Sequence, residues 1–189
     1  MTEFIDKERS ITRIIEGQLA FMREYQDIGI KKPAWQNINE TVRRVAAMLP
    51  MRSIVVQYDK NDMEILADPL LEKVFYNLIE DSLNYGGDAM TMIRISSEIS
   101  GQGCRVMYED NGVGISAGDK DHLFELGFGK HTGFGLHLSR EILQITGIRI
   151  QETGNPGSGV QFEIRIPPGV WRLPRSIPDQ APVAPGVSR

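Results

Sequence analysis

The sequence predicts an α+β domain: a two-layer α/β sandwich in which a mixed, largely antiparallel sheet is covered by helices on one face, with one more helix at the N-terminus. Three observations predict it. Strand-like segments come in pairs joined by short turns, and each pair but the last is followed by a helix with a continuous apolar face. The chain has 189 residues, 41% of them hydrophobic, which suffices for one core plus an appendage.

The elements follow in order. Residues 5–28 read as one helix, with Ile11, Ile14, Ile15, Phe21, Met22, Tyr25 and Ile28 at mixed spacings of three and four. Gly29 stops it, and Pro33 pushes Lys32 out of the α region, so Lys32-Pro33-Ala34-Trp35 is an extended link. This divides the chain into a helical stem, residues 1–33, and a main domain, residues 34–170. The stem's apolar stripe must be buried on that domain or on another chain.

Asn39 is expected to cap a helix running through Val42, Val45, Ala46 and Leu49 to Pro50. Residues 53–58 have the β-branched content of a strand, and Glu64-Ile65-Leu66 reads as its short hairpin partner. Asp68-Pro69 supplies an N-cap acid and a first-position proline for a helix to residue 85. That helix carries Leu70, Leu71, Val74, Phe75, Leu78, Ile79 and Leu83 and ends at Gly86-Gly87. Strands at 91–99 and 104–109 flank Gly101-Gln102-Gly103; a helix at 136–145 ends at Gly147; strands at 148–152 and 159–166 close a hairpin across Gly154-Asn155-Pro156-Gly157. Residues 171–189, with four prolines after Leu173 and few apolar anchors, are expected to be a disordered tail.

Composition excludes several function classes. No apolar run approaches the ~20 residues that span a bilayer, and MTEFIDKERS lacks the apolar segment of a secretory signal, so a cytoplasmic location without direct membrane contact is expected. The single Cys104, in an alternating strand pattern, reads as a small buried hydrophobe and offers neither an internal disulfide nor a cysteine metal site. His122, His131 and His137 lack the spacing to carboxylates that zinc requires. A net charge of -4 gives no basic footprint for nucleic acid, leaving a protein or small-molecule partner.

The chemistry concentrates in two glycine clusters. In Asp110-Asn111-Gly112-Val113-Gly114-Ile115, a carboxylate at a strand end can accept from an exocyclic amine, and the glycines let backbone approach a flat base. In Gly133-Phe134-Gly135-Leu136, bare amides at a helix N-terminus favour phosphate. The second cluster is neither a dinucleotide fingerprint, because Leu138 occupies the third glycine position, nor a P-loop, because no lysine follows. Asn77, Asp81 and Asn84, at i, i+4 and i+7 of the helix ending at 85, share one polar stripe whose oxygens suit Mg2+.

In order along the chain, these boxes resemble the catalytic, ATP-binding domain of sensor histidine kinases, in the ATPase family shared with gyrase, Hsp90 and MutL. LEKVFYNLIEDSLNY (71–85) is similar to the family's N box, DNGVGI (110–115) to its first glycine box, LFELGF (123–128) to its F box and HTGFGLHL (131–138) to its second glycine box. The resemblance covers about residues 35–167 and implies the Bergerat-type ATP-binding fold. The stem is similar to the second helix of the dimerisation and phosphotransfer domain, and EYQDIG with its downstream tryptophan resembles sensor kinases of methanogenic archaea.

The resemblance implies ATP and Mg2+ as cofactors, with Asn77 and Asp81 as catalytic residues and metal ligands. Asp110 would receive the adenine amino group beside Gly112, Gly114 and Ile115. A short lid between Ile115 and Gly133, anchored by Phe124 and Phe128, would bring Lys130, His131 and Thr132 to the nucleotide; Gly133, Gly135 and Leu136 would meet the phosphates, with Asn84 near them. The family usually has asparagine at Asp81, lysine at Asn84 and glycine at His131. Losing the lysine removes a cation from the phosphates, and Lys130 or His131 can replace it.

No histidine precedes His122, so the usual acceptor is missing from this sequence. The expectation is therefore a protein-histidine kinase module that passes the γ-phosphoryl group of Mg-ATP to a histidine on another helix. It would belong to a sensor kinase that is a homodimer at full length and signals to a response regulator. A nucleotide-binding regulatory module without transfer, or a serine kinase of the anti-sigma type, are the alternatives. With half of a four-helix bundle, weak or no dimerisation is expected.

Overall fold

The computed structural model describes residues 2–101, 103–128 and 133–174. Helix α1, Thr2–Asp27, ends where Gly29 takes the left-handed conformation, φ 73°. Strand β1, Ala34–Asn37, leads directly into α2, Ile38–Met48. The α2 cap is Asn37 rather than the expected Asn39: its side chain accepts from Glu40 N at 2.9 Å. Asn39 is instead buried, with Nδ2 reaching Asp59 O at 3.3 Å, because the helix begins as soon as β1 ends.

Strands β2, Val55–Tyr58, and β3, Glu64–Ala67, do not form the expected hairpin. β2 runs parallel to β4, Met92–Ser100, while β3 lies antiparallel between β1 and β8, Trp171–Arg172. Asp59 decides this. Its Oδ2 accepts from both N and Oγ of Ser97 at 3.0 Å, tying the end of β2 to β4. These bonds hold its carboxyl below the usual range, against the opposing effect of partial burial. Strand β8 also corrects the expected tail. Trp171 and Arg172 pair with Ile65 and Glu64, and the Arg172 guanidinium lies 4.3 Å over the Trp35 ring. Residues 175–189 of that tail lie outside the described residues.

Helix α3, Leu71–Tyr85, starts two residues later than Asp68-Pro69 suggested. Asp68 shapes the turn before it, its Oδ1 accepting from Leu70 N and its Oδ2 from Gly29 N, both at 2.9 Å. After β5, Gly103–Asp110, come a 3-10 turn at Lys120–His122, helix α4, Gly135–Gln144, and strands β6, Arg149–Glu152, and β7, Gln161–Ile166. The main sheet has the order β2-β4-β5-β7-β6, parallel only at β2-β4.

One face of this sheet is the core. Ile93, Ile95, Val106, Tyr108, Phe162 and Ile164 meet α3 through Val74, Phe75, Leu78 and Ile79, flanked by Val42 and Val45 of α2 and Leu138 and Ile142 of α4. Arg94, Arg105, Arg149 and Arg165 stand exposed on the other face, as strand alternation requires. The predicted mixed sandwich with helices on one face is thus present. Helix α1 packs on the domain through Phe21, stacked on Phe134 at 4.6 Å, and through a Glu24–Lys73 pair at 2.8 Å. Its opposite side leaves Ile15, Leu19, Met22 and Tyr25 exposed. No helix of the described residues is long and apolar enough to cross a membrane.

Candidate functional site

A cleft of about 990 Å³ opens between α3, the loop after β5 and the start of α4, with Phe21 and Glu24 of α1 on its rim. At its floor Asp110 is only 6% exposed. Its Oδ2 accepts from Ser82 Oγ at 2.6 Å, and its Oδ1 from Gly112 N at 2.9 Å and Val160 N at 3.0 Å. Ser82 Oγ in turn lies 2.9 Å from the Tyr108 hydroxyl, itself 3.0 Å from Leu78 O. Complete burial holds the Tyr108 phenol well above its ordinary range, so it stays a neutral hydroxyl.

The glycines here are steric necessities. A Cβ on Gly112 would lie 2.5 Å from Gly86 O, and one on Gly159 would lie 1.9 Å from Asp110 O. The first contact closes the end of α3 onto the loop, where Val113 N donates to Gly86 O at 3.1 Å. Asn111 turns away from the cleft, its Oδ1 accepting from Thr91 N at 2.9 Å and Met92 N at 3.0 Å to hold the start of β4.

At the other end, α4 begins at Gly135 with no side-chain cap, so its first amides are not consumed by one. Asn77 of α3 is buried against this turn: Nδ2 donates to Gly135 O at 2.8 Å and to Ser139 Oγ at 3.1 Å. A carbonyl can only accept, so the amide nitrogen faces α4, and Oδ1 has no hydrogen bond among the described residues. A Cβ on Gly135 would come within 3.3 Å of Asn77 Cγ. One helical turn on, burial and the neighbouring Glu80 charge push the Asp81 carboxyl up to about 7. No hydrogen bond or ion pair satisfies it among the described residues.

Of the residues expected in the pocket, Asn77, Asp81, Asn84, Asp110, Gly114, Ile115, Gly133, Gly135 and Leu136 all line the cleft, Asn84 as an exposed residue. Gly112 backs it through Asp110. Phe124 sits outside the lining, packed edge-on against Phe162 at 6.3 Å, while Phe128 lines it. Gly133, at φ 66°, accepts from Gly127 N at 3.1 Å. Lys130, His131 and Thr132 lie outside the described residues.

Residues 67–170, more than half the chain, match the family described as histidine kinase-, DNA gyrase B- and HSP90-like ATPase. The chain belongs to this ATPase family. The match starts at the end of β3 and stops before β8, so it contains every cleft residue except those of α1. Similar curated relatives are the alginate biosynthesis sensor protein KinB of Pseudomonas aeruginosa, 32% identical over 51% of this chain and 17% of its own, and the sensor histidine kinase ZraS of Escherichia coli K12, 30% identical over 71% of this chain and 30% of its own. The chain thus spans less than a third of either relative. Among solved structures, the catalytic domain of histidine kinase ThkA aligns with a TM-score of 0.61 at 27% identity, covering 72% of this chain and 98% of that domain.

For a member of this ATPase family the donor set is informative. Asn77 Oδ1 and the Asp81 carboxyl, four residues apart on α3, present two hard oxygen ligands, which fits Mg2+ held by one or two side chains with waters and phosphates. No cluster of three or more histidine, cysteine or acidic side chains placed to cage a metal occurs among the described residues. Sequence reasoning missed Ser82, Tyr108 and Val160. Ser82 lies inside the helix box, but only the fold reveals that the Tyr108 hydroxyl meets its Oγ and that a backbone amide of a distant loop shares the Asp110 carboxylate.

Proposed function

We propose that the chain is the ATP-binding catalytic module of a two-component sensor histidine kinase, transferring the γ-phosphoryl group of Mg-ATP to a histidine on a helix absent from this sequence. The carrying observation is the polarity of the cleft: a buried, fully oriented acceptor at one end, Asp110, and at the other an uncapped helix start beside Asn77 Oδ1 and the Asp81 carboxyl, neither hydrogen-bonded among the described residues. Adenine presents an amino donor and ATP a triphosphate, so the molecule fits in one direction only.

In this reading Asp110 accepts a hydrogen bond from the adenine amino group, Gly114 and Ile115 line the base, and the α4 amides after Gly133 and Gly135 receive phosphate oxygens. Leu136 and Asn84 flank that end, and Lys130, His131 and Thr132 approach from the lid. Asn77 and Asp81 would hold Mg2+, which supplies charge neutralisation at the triphosphate. The acceptor imidazole nitrogen attacks the γ-phosphorus, the bond to the bridging oxygen breaks, and ADP leaves. This chain's share is positioning and electrostatics. The helical stem at 1–33 acts as part of a dimerisation domain, with the homodimer and a response regulator as partners of the longer, cytoplasmic protein.

The relatives are sensor kinases and give no support to a serine kinase of the anti-sigma type or to a module without transfer. The test is to join the chain to its authentic upstream helix and incubate it with γ-labelled ATP and Mg2+. Acid-labile, base-stable label on that helix is expected. Binding without label would overturn the transfer step.

A further inference from the structure

We infer that Lys120 is a positioning residue: through Glu152 it fastens the first half of the lid to the loop that completes the Asp110 floor, so that lid and base site loosen together. The inference rests on the nucleotide-binding reading above. Glu152 ends β6 on the core side of the sheet, and its side chain is 2% exposed. Its Oε1 accepts from Gly154 N at 3.0 Å and Gln161 N at 3.4 Å, closing the neck of the β6–β7 loop. Its Oε2 lies 2.6 Å from Lys120 Nζ, which also donates to Gly154 O. Among the described residues Lys120 is the only cation paired with Glu152, and Oε2 has no other polar partner.

The clamped loop builds the pocket. Val160 N donates to Asp110 Oδ1 at 3.0 Å, Gly157 N donates to Val113 O at 2.9 Å, and Gly159 lies against the Asp110 carbonyl. Lys120 itself belongs to the 3-10 turn of the lid, between Asp119, which accepts from Ser116 Oγ at 2.7 Å, and the buried Leu123. Lifting this turn would leave a deeply buried carboxylate unpaired, an expensive state that the loop can relieve only by opening its own neck. Release of the lid and disturbance of the base-recognising carboxylate therefore become one event. A lysine held only by exposed partners would impose no such link.

Hydrogen exchange by mass spectrometry on the full chain, with and without ADP, tests this together with ADP affinity by calorimetry. Lys120→Met is expected to speed exchange about tenfold in both 116–126 and 153–161, to leave α3 and β4 at wild-type rates and to weaken ADP binding about tenfold. Lys120→Arg is expected to restore all three. Faster exchange in 116–126 alone, with wild-type ADP affinity, would overturn the inference; so would acceleration spread evenly through α3 and β4, which marks a merely structural role. If the wild type bound no ADP, the nucleotide-binding reading would fall. The ligand-free exchange pattern would then decide the Lys120 coupling by the same two criteria.

Discussion

Two carboxylates, Asp81 on α3 and Asp110 at the end of β5, behave oppositely in the cleft. Asp110 is satisfied by three donors, one from α3 and two from backbone, which hold it in one orientation. Replacing Ser82 by Ala removes the donor to Oδ2 and leaves a buried acceptor short of one partner, so a stability loss of about 1–3 kcal/mol is expected in urea unfolding, with weaker ATP binding. Asp81 has no such donor among the described residues. Because burial raises its carboxyl from 3.8 to about 7, the folded chain holds a proton there that the unfolded chain has released between those values. The stability associated with that proton is complete below pH 4 and is lost as pH rises through 7. Asp81→Asn is therefore expected to leave stability near wild type at pH 4 and to raise it by about 1–3 kcal/mol at pH 8 in the absence of nucleotide. Equal urea midpoints for the two proteins at pH 8 would contradict this.

Local signals fixed the legible elements. The apolar face of α3, the glycines around β4 and β5 and the turn at Gly154-Asn155-Pro156-Gly157 each lie within a few residues of what they determine, and all three features appear as expected. The failures involve distant partners. β2 and β3 looked like a hairpin because five residues separate them on paper, but the Asp59–Ser97 bonds join positions 38 apart. The N-cap shifted from Asn39 to Asn37 because β1, whose pairing with β3 is invisible locally, sets where α2 begins. Asn37→Ala removes the cap and the bond from its Nδ2 to Asp62 Oδ1, so a loss of about 1 kcal/mol is expected from the urea midpoint. A midpoint shift for Asn39→Ala without one for Asn37→Ala would contradict the observed cap.

At the scale of the whole molecule, the cleft is built by contributions from separate stretches: α3, the loop after β5, the start of α4, the β6–β7 loop and the rim of α1. Its glycine boxes were legible because each needs a particular backbone, whereas the Val160 amide and the Phe21 ring, coming from outside the boxes, were not. Helix α1 spends Phe21 and Glu24 on the domain and leaves Ile15, Leu19, Met22 and Tyr25 exposed. One such stripe is a small surface for a stable pair, and sedimentation at micromolar concentration is expected to show a monomer; a tight dimer would contradict that. The central claim is that this cleft binds Mg-ATP with its adenine on Asp110. Calorimetry of ATP binding, with and without Mg2+, for the wild type and Asp110→Ala tests it most directly. A micromolar signal, about 8 kcal/mol of binding free energy, in the wild type and its loss in the variant is the predicted result. Equal binding by both proteins, or none by the wild type, would contradict it.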